Sequence, residues 1–199
     1  DADLGWMNRR SFRAENLYGK GVGFTTNSHG FRGTKEIAAE VPAGQRRIVF
    51  LGDSFTEGYG VADADCYPAA VSAIEPSFEA VNMGLGGFGL DQMFLWYRRD
   101  AADLRASTVV LACIAHDFER MGTDHFLHLP KPWLEVDGAT LAVRNVPVPK
   151  VFGERDRGRL VRLARSLALG RAMERLRRTK PPPEDRSLVA PLLEEAWLS

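Results

Sequence analysis

Cysteine, histidine, net charge and long apolar runs are all scarce in this 199-residue chain. Two cysteines say little of a disulfide framework, and no Cys66–Cys113 bond is expected from their spacing. Cys113 lies in an apolar, strand-like run, where a buried free thiol is expected. Lysine plus arginine and aspartate plus glutamate number 26 each, which removes the global-charge argument for a nucleic-acid or acidic-polymer partner. No stretch of 18 apolar residues is present, so no membrane helix is expected within this segment, and no signal peptide is visible. The first residue is Asp1 rather than Met, so an upstream leader or anchor is compatible with the sequence, as is either a cytoplasmic or an exported location.

What remains is ordinary globular composition, 45% apolar and 26% charged, sufficient for one sizeable core. Residues 1–45 read as a loop-rich entry punctuated by glycine, with one strand-like run at Val22–Thr26. Ile48–Leu51 is a continuous apolar run, as in a strand covered on both faces. A helix is predicted at Tyr67–Ile74 with Pro68 in its first turn, then a strand at Phe78–Asn82. Leu90, Met93, Phe94, Tyr97, Ala101 and Leu104 follow helical spacing, and Thr108–Ala115 reads as a third strand. This alternation predicts one α/β sandwich domain with a mostly parallel sheet and right-handed crossovers.

Trp133–Val136 and Leu141–Val143 around Asp137-Gly138 predict a hairpin, within an inserted flap over 121–150. Leu160–Leu176 reads as a helix with arginine stems along its flanks, in a basic region holding ten Arg or Lys against three acids between 154 and 180. Leu188–Leu198 offers a last amphipathic segment.

The chemistry concentrates at Gly52-Asp53-Ser54, where an apolar strand ends in a sharp turn. Such a turn lifts a hydroxyl above the C-terminal edge of a sheet. A serine hydroxyl is a weak nucleophile that needs a base and a stabilised oxyanion. The same residues also fit a plain turn in which Ser54 caps a helix. Gly84, Gly86, Gly87 and Gly89 follow the second strand, suiting either an oxyanion hole or a tight strand–helix turn. His125 and His128 with Asp124 lack a recognisable fourth metal ligand. The glycine turn follows the second strand rather than the first, unlike a dinucleotide fingerprint. No metal or cofactor is therefore expected.

Three blocks together carry a resemblance: Gly52-Asp53-Ser54, the turn Asn82-Met83-Gly84-Leu85-Gly86-Gly87-Phe88-Gly89, and Ala115-His116-Asp117 after the third strand. The chain resembles the SGNH/GDSL hydrolases over much of residues 20–150. Asn27-Ser28-His29-Gly30-Phe31-Arg32-Gly33 and the Pro132–Pro149 insertion resemble a bacterial branch of that family. The resemblance implies a three-layer α/β/α sandwich and an esterase or O-acyltransferase working through an acyl-serine. Ser54 would be the nucleophile, the amides of Ser54 and Gly87 two oxyanion donors, and a carboxylic ester, such as an acetylated glycan, the substrate. The family's third donor is an asparagine; here His116 stands in its place, either as a substitute donor or as a structural hydrogen-bonding group beside Asp117.

The family's C-terminal Asp-x-x-His, which supplies the base, is not found after His128. Three strands are also narrow for this much helix, so 1–199 is expected to be one domain incomplete at its C-terminus and lacking its last strand. The competing reading is a noncatalytic module of the same fold that binds carbohydrate or an acylated polymer.

Overall fold

A computed structural model describes residues 1–150 of the chain. The chain divides into two units, Asp1–Pro149 and Lys150–Ser199, and every described helix and strand belongs to the first. The helix expected at Leu160–Leu176 and the segment Leu188–Leu198 lie outside the described residues.

The entry segment forms a short antiparallel ribbon of β1 (Arg13–Ala14) and β2 (Phe24–Thr25). The principal sheet follows. β3 (Arg46–Gly52) leads into a one-turn helix α1 (Ser54–Glu57), then α2 (Tyr67–Ile74), β4 (Phe78–Gly84), α3 (Leu90–Asp100), β5 (Thr108–Leu111) and α4 (Ala115–Arg120). β3 lies between β4 and β5 and pairs with both in parallel, in register from Arg46↔Phe78 to Gly52↔Gly84 on one side and from Ile48↔Thr108 to Leu51↔Leu111 on the other. Val49, Phe50 and Leu51 of the central strand are buried with Val81 and Met83 of its neighbour, which is why the apolar run is continuous rather than alternating. Two antiparallel ribbons complete the unit: β6 (His125–Phe126) with β7 (Leu129–Pro130), and β8 (Trp133–Asp137) with β9 (Thr140–Arg144).

The sequence therefore misleads on fold class. The expected three-layer sandwich built on one mostly parallel sheet gives way to an α/β unit with four separate small sheets. Six of its nine described strands lie in antiparallel pairs. The alternating pattern of residues 46–111 holds for the principal sheet alone. The flanking segments close on themselves through tight turns such as Gly138-Ala139, set between the paired Asp137 and Thr140 with Gly138 at φ 59°, and a two-residue turn joins only antiparallel neighbours.

The strand expected to run to Ala115 stops at Leu111. Ala112 still donates its amide to Leu51 O. The Ile114 amide is then taken by the Asp117 carboxylate at 2.9 Å, which starts α4 instead. Cys113, expected to be buried, is exposed, as are Val109 and Leu111 of β5 before it at the edge of the described sheet, while Cys66 is buried and both thiols are free. No helix among the described residues is long and apolar enough to cross a membrane.

At the end of the sheet remote from Ser54, Arg47 and Glu79, cross-strand partners in register, form a buried ion pair at 2.7 Å. Lys35 joins Glu79 at 2.9 Å. Desolvation opposes charge on Glu79, but the hydrogen bonds from Lys35 and Arg47 prevail and hold its carboxyl below the ordinary value.

Candidate functional site

Where β3 ends, Asp53 rather than Ser54 is the helix cap: its side chain accepts the Phe55 amide at 2.9 Å. Ser54 occupies the first helical position, half-buried. Its carbonyl accepts the amides of Gly58 and Tyr59, so this short helix closes immediately. Arg32 holds that closure. Its guanidinium donates to Glu57 O at 2.9 Å and Gly58 O at 3.0 Å, and its own amide donates to Asn82 O at the edge of β4.

Helix α1 packs hard against the strand ends. A Cβ at Gly52 would collide with the Thr56 side chain, and one at Gly84 with the Glu57 backbone. Asn82 reinforces the contact by donating to Thr56 O at 2.9 Å while accepting the Gly84 amide. The Ser54 turn and the glycine turn predicted from the sequence are thereby brought together, and Leu85 N donates to Gly52 O at 3.1 Å.

The amides of that glycine turn are committed almost throughout. Leu85 N serves Gly52 O and Phe88 N serves Leu85 O. Gly86 N donates to Glu57 Oε2 at 3.1 Å, and Gly89 N to Gln92 Oε1 at 3.3 Å. Among the described residues Gly87 N donates to nothing, and neither does Ser54 N. Gly87 has φ 79°, and a Cβ there would meet the Phe126 ring at 2.6 Å, so glycine is required on both counts.

Charged residues weld the site, and two of them, Arg120 and Glu57, were given no role from the sequence. Arg120 Nη1 lies 2.7 Å from Asp117 Oδ1 and 3.5 Å from Asp53 Oδ2, and donates to Phe88 O at 3.2 Å. One guanidinium thus ties the serine turn, the glycine turn and α4. Burial raises the Asp117 carboxyl, with the nearby Asp53 adding to the shift, against the pull of the Ile114 amide and Arg120. Glu57, also buried, accepts Asn8 Nδ2 and Gly86 N at 3.1 Å each. Desolvation pushes its carboxyl up to about 7, although the Asn8 bond, the Arg32 charge and the Gly86 amide oppose this. The spacing of Asp117 and Arg120, one helical turn apart, was a readable signal. Glu57 carried a weaker one as an acid in a helix first turn.

His116 follows β5 as predicted, but its imidazole faces outward. Nδ1 lies 2.6 Å from Glu119 Oε2, and both side chains are 70% exposed. A neutral imidazole that donates Nδ1–H to a carboxylate presents a lone pair at Nε2, the reverse of what an oxyanion donor supplies. His29 Nε2 lies 3.1 Å from Ile37 O, His125 pairs with Asp124 at 2.7 Å, and His128 is exposed. No described histidine is hydrogen-bonded to Ser54, and no cluster of three or more metal-ligating side chains occurs among the described residues.

Compared with known proteins, the chain matches no family model and no curated protein.

Proposed function

We propose that Ser54 is the nucleophile of a serine ester hydrolase or O-acyltransferase. One observation carries the reading: two uncommitted amides, Ser54 N and Gly87 N, belong to adjoining turns beside a half-buried hydroxyl. Neighbouring amides of the glycine turn are all occupied. Amides held in place and left unpaired suit a charge that develops only during reaction.

In this scheme Ser54 Oγ attacks the acyl carbon while a general base takes its proton. The carbonyl oxygen becomes an oxyanion that accepts from Ser54 N and Gly87 N. Collapse forms the acyl-serine and expels the alcohol, which recovers the proton. Water or an acceptor hydroxyl then attacks, giving free acid or a new ester. His116 would add a donor only as the imidazolium. Phe55, 71% exposed beside Ser54, offers apolar surface to an acyl chain or sugar face.

A fluorophosphonate probe tests the scheme on the full natural chain. Peptide mapping should find the label on Ser54, and Ser54→Ala should abolish it; an unlabelled, folded natural chain overturns the proposal. The second reading, a noncatalytic module binding carbohydrate or an acylated polymer, draws support from the lack of any described histidine bonded to Ser54. It predicts glycan or acyl-ester binding by calorimetry without turnover.

A further inference from the structure

We infer that Trp6 is a positioning residue for the oxyanion site, acting through the peptide group between Gly86 and Gly87; this rests on the reading of Ser54 given above. Trp6 Nε1 donates to Gly86 O at 3.0 Å in a buried contact spanning 80 residues of sequence. In a trans peptide the carbonyl and the following N–H point in opposite directions. The oxygen that Trp6 holds and the Gly87 N–H belong to one rigid plane, so fixing the first aims the second.

Why that plane needs holding follows from its neighbours. Glycine lies on both sides of it, and neither presents a Cβ to oppose rotation of the peptide. The preceding peptide is pinned separately, because Gly86 N donates to Glu57 Oε2, whose carboxylate also accepts Asn8 Nδ2. The following residue is pinned by Arg120 at Phe88 O. Trp6 is the group that fixes the central plane. Its ring is wedged against Phe88, centroids 5.7 Å apart and edge-on, and against Phe126 at 6.1 Å. The strap that carries it is tied down independently: Gln92 Nε2 donates to Leu4 O at 2.8 Å, and Arg99 pairs with Asp1 at 2.9 Å. Residues 1–8 thus form a fixed strap that sets the direction of one amide. An indole does this where phenylalanine cannot, because the ring packs while its N–H reaches a carbonyl.

The test uses the full natural chain, p-nitrophenyl acetate and a fluorophosphonate. Trp6→Phe keeps an aromatic wedge and deletes the hydrogen bond. With removal of a whole oxyanion donor costing about 10²–10³-fold, loosening one should lower kcat about 10- to 100-fold, with KM unchanged and Ser54 labelling slowed in parallel. Should Trp6→Phe fail to fold, benzothienylalanine at position 6 replaces N–H by sulfur at nearly constant volume, and the same loss is expected. A folded variant with unchanged kcat and labelling rate, or one in which only KM rises, overturns the assignment. If the natural chain itself is neither labelled nor active, the Ser54 reading fails first, and the two failures are distinguished by that control.

Discussion

Glu57 is the residue whose ionisation should be visible in the stability of the fold. Its carboxyl is raised from 4.5 to about 7 by burial, so between those values the folded chain binds more protons than the unfolded one. Stability therefore falls as pH rises through that window and levels off above it, by roughly 3 kcal/mol for a shift of this size. Glu57→Gln removes the slope, and the Asn8 amide can turn over to accept from the new amide. Urea unfolding at pH 4.5, 6 and 8 should find the variant gaining on the natural chain with pH; a constant difference refutes the assignment. Gly87→Ala acts differently. The left-handed backbone and the Phe126 ring at 2.6 Å should together cost about 2 kcal/mol, read as a lower Tm, and under the proposed function kcat should fall because the amide is displaced. Little of this was visible beforehand. The serine and glycine positions announce themselves through their neighbours in sequence, whereas Trp6 and Glu57 meet Gly86, and Asn8 meets Glu57, from distances along the chain that no local pattern encodes.

At the level of elements, helix α2 and the β8–β9 hairpin follow directly from apolar spacing, Pro68 and the Asp137-Gly138 turn. The end of β5 could not be read that way, since Cys113 and Ile114 continue its apolar run. A side-chain cap from Asp117 decides the matter. The inserted segment is likewise fixed by one residue of unexpected character. Lys131 is fully buried and donates to Asp91 at 2.5 Å, to Thr123 O and to Pro132 O. Burial draws its ammonium below the ordinary value, against the opposing pull of Asp91. Lys131→Met leaves Asp91 buried and unpaired, for which a loss of about 3–5 kcal/mol is expected. Replacing 134–143 by a short turn spares that pair and should leave the rest of the unit folded. Thermal melts of the two variants compare them directly, and equal stabilities would remove the role given to the ion pair.

For the molecule as a whole, alternating strands and helices identified the parallel core but were extended too far. Gly- and Pro-rich flanks carry their own small ribbons, and such segments bury too few residues to show a strong period. The candidate site lies where these small flanking pieces meet the core: Arg32 arrives from the entry, Phe126 from the insertion and Trp6 from the first residues. The link from Trp6 to Gly86 also bears on the order of events during synthesis. Trp6 leaves the ribosome long before its acceptor exists, and pairing of the strands between its ends shortens the loop that this contact has to close. The strap is therefore expected to dock after β3 and β4 have paired. Competence of the serine turn should consequently emerge at the end of folding, in step with burial of the Trp6 ring and not with formation of the sheet.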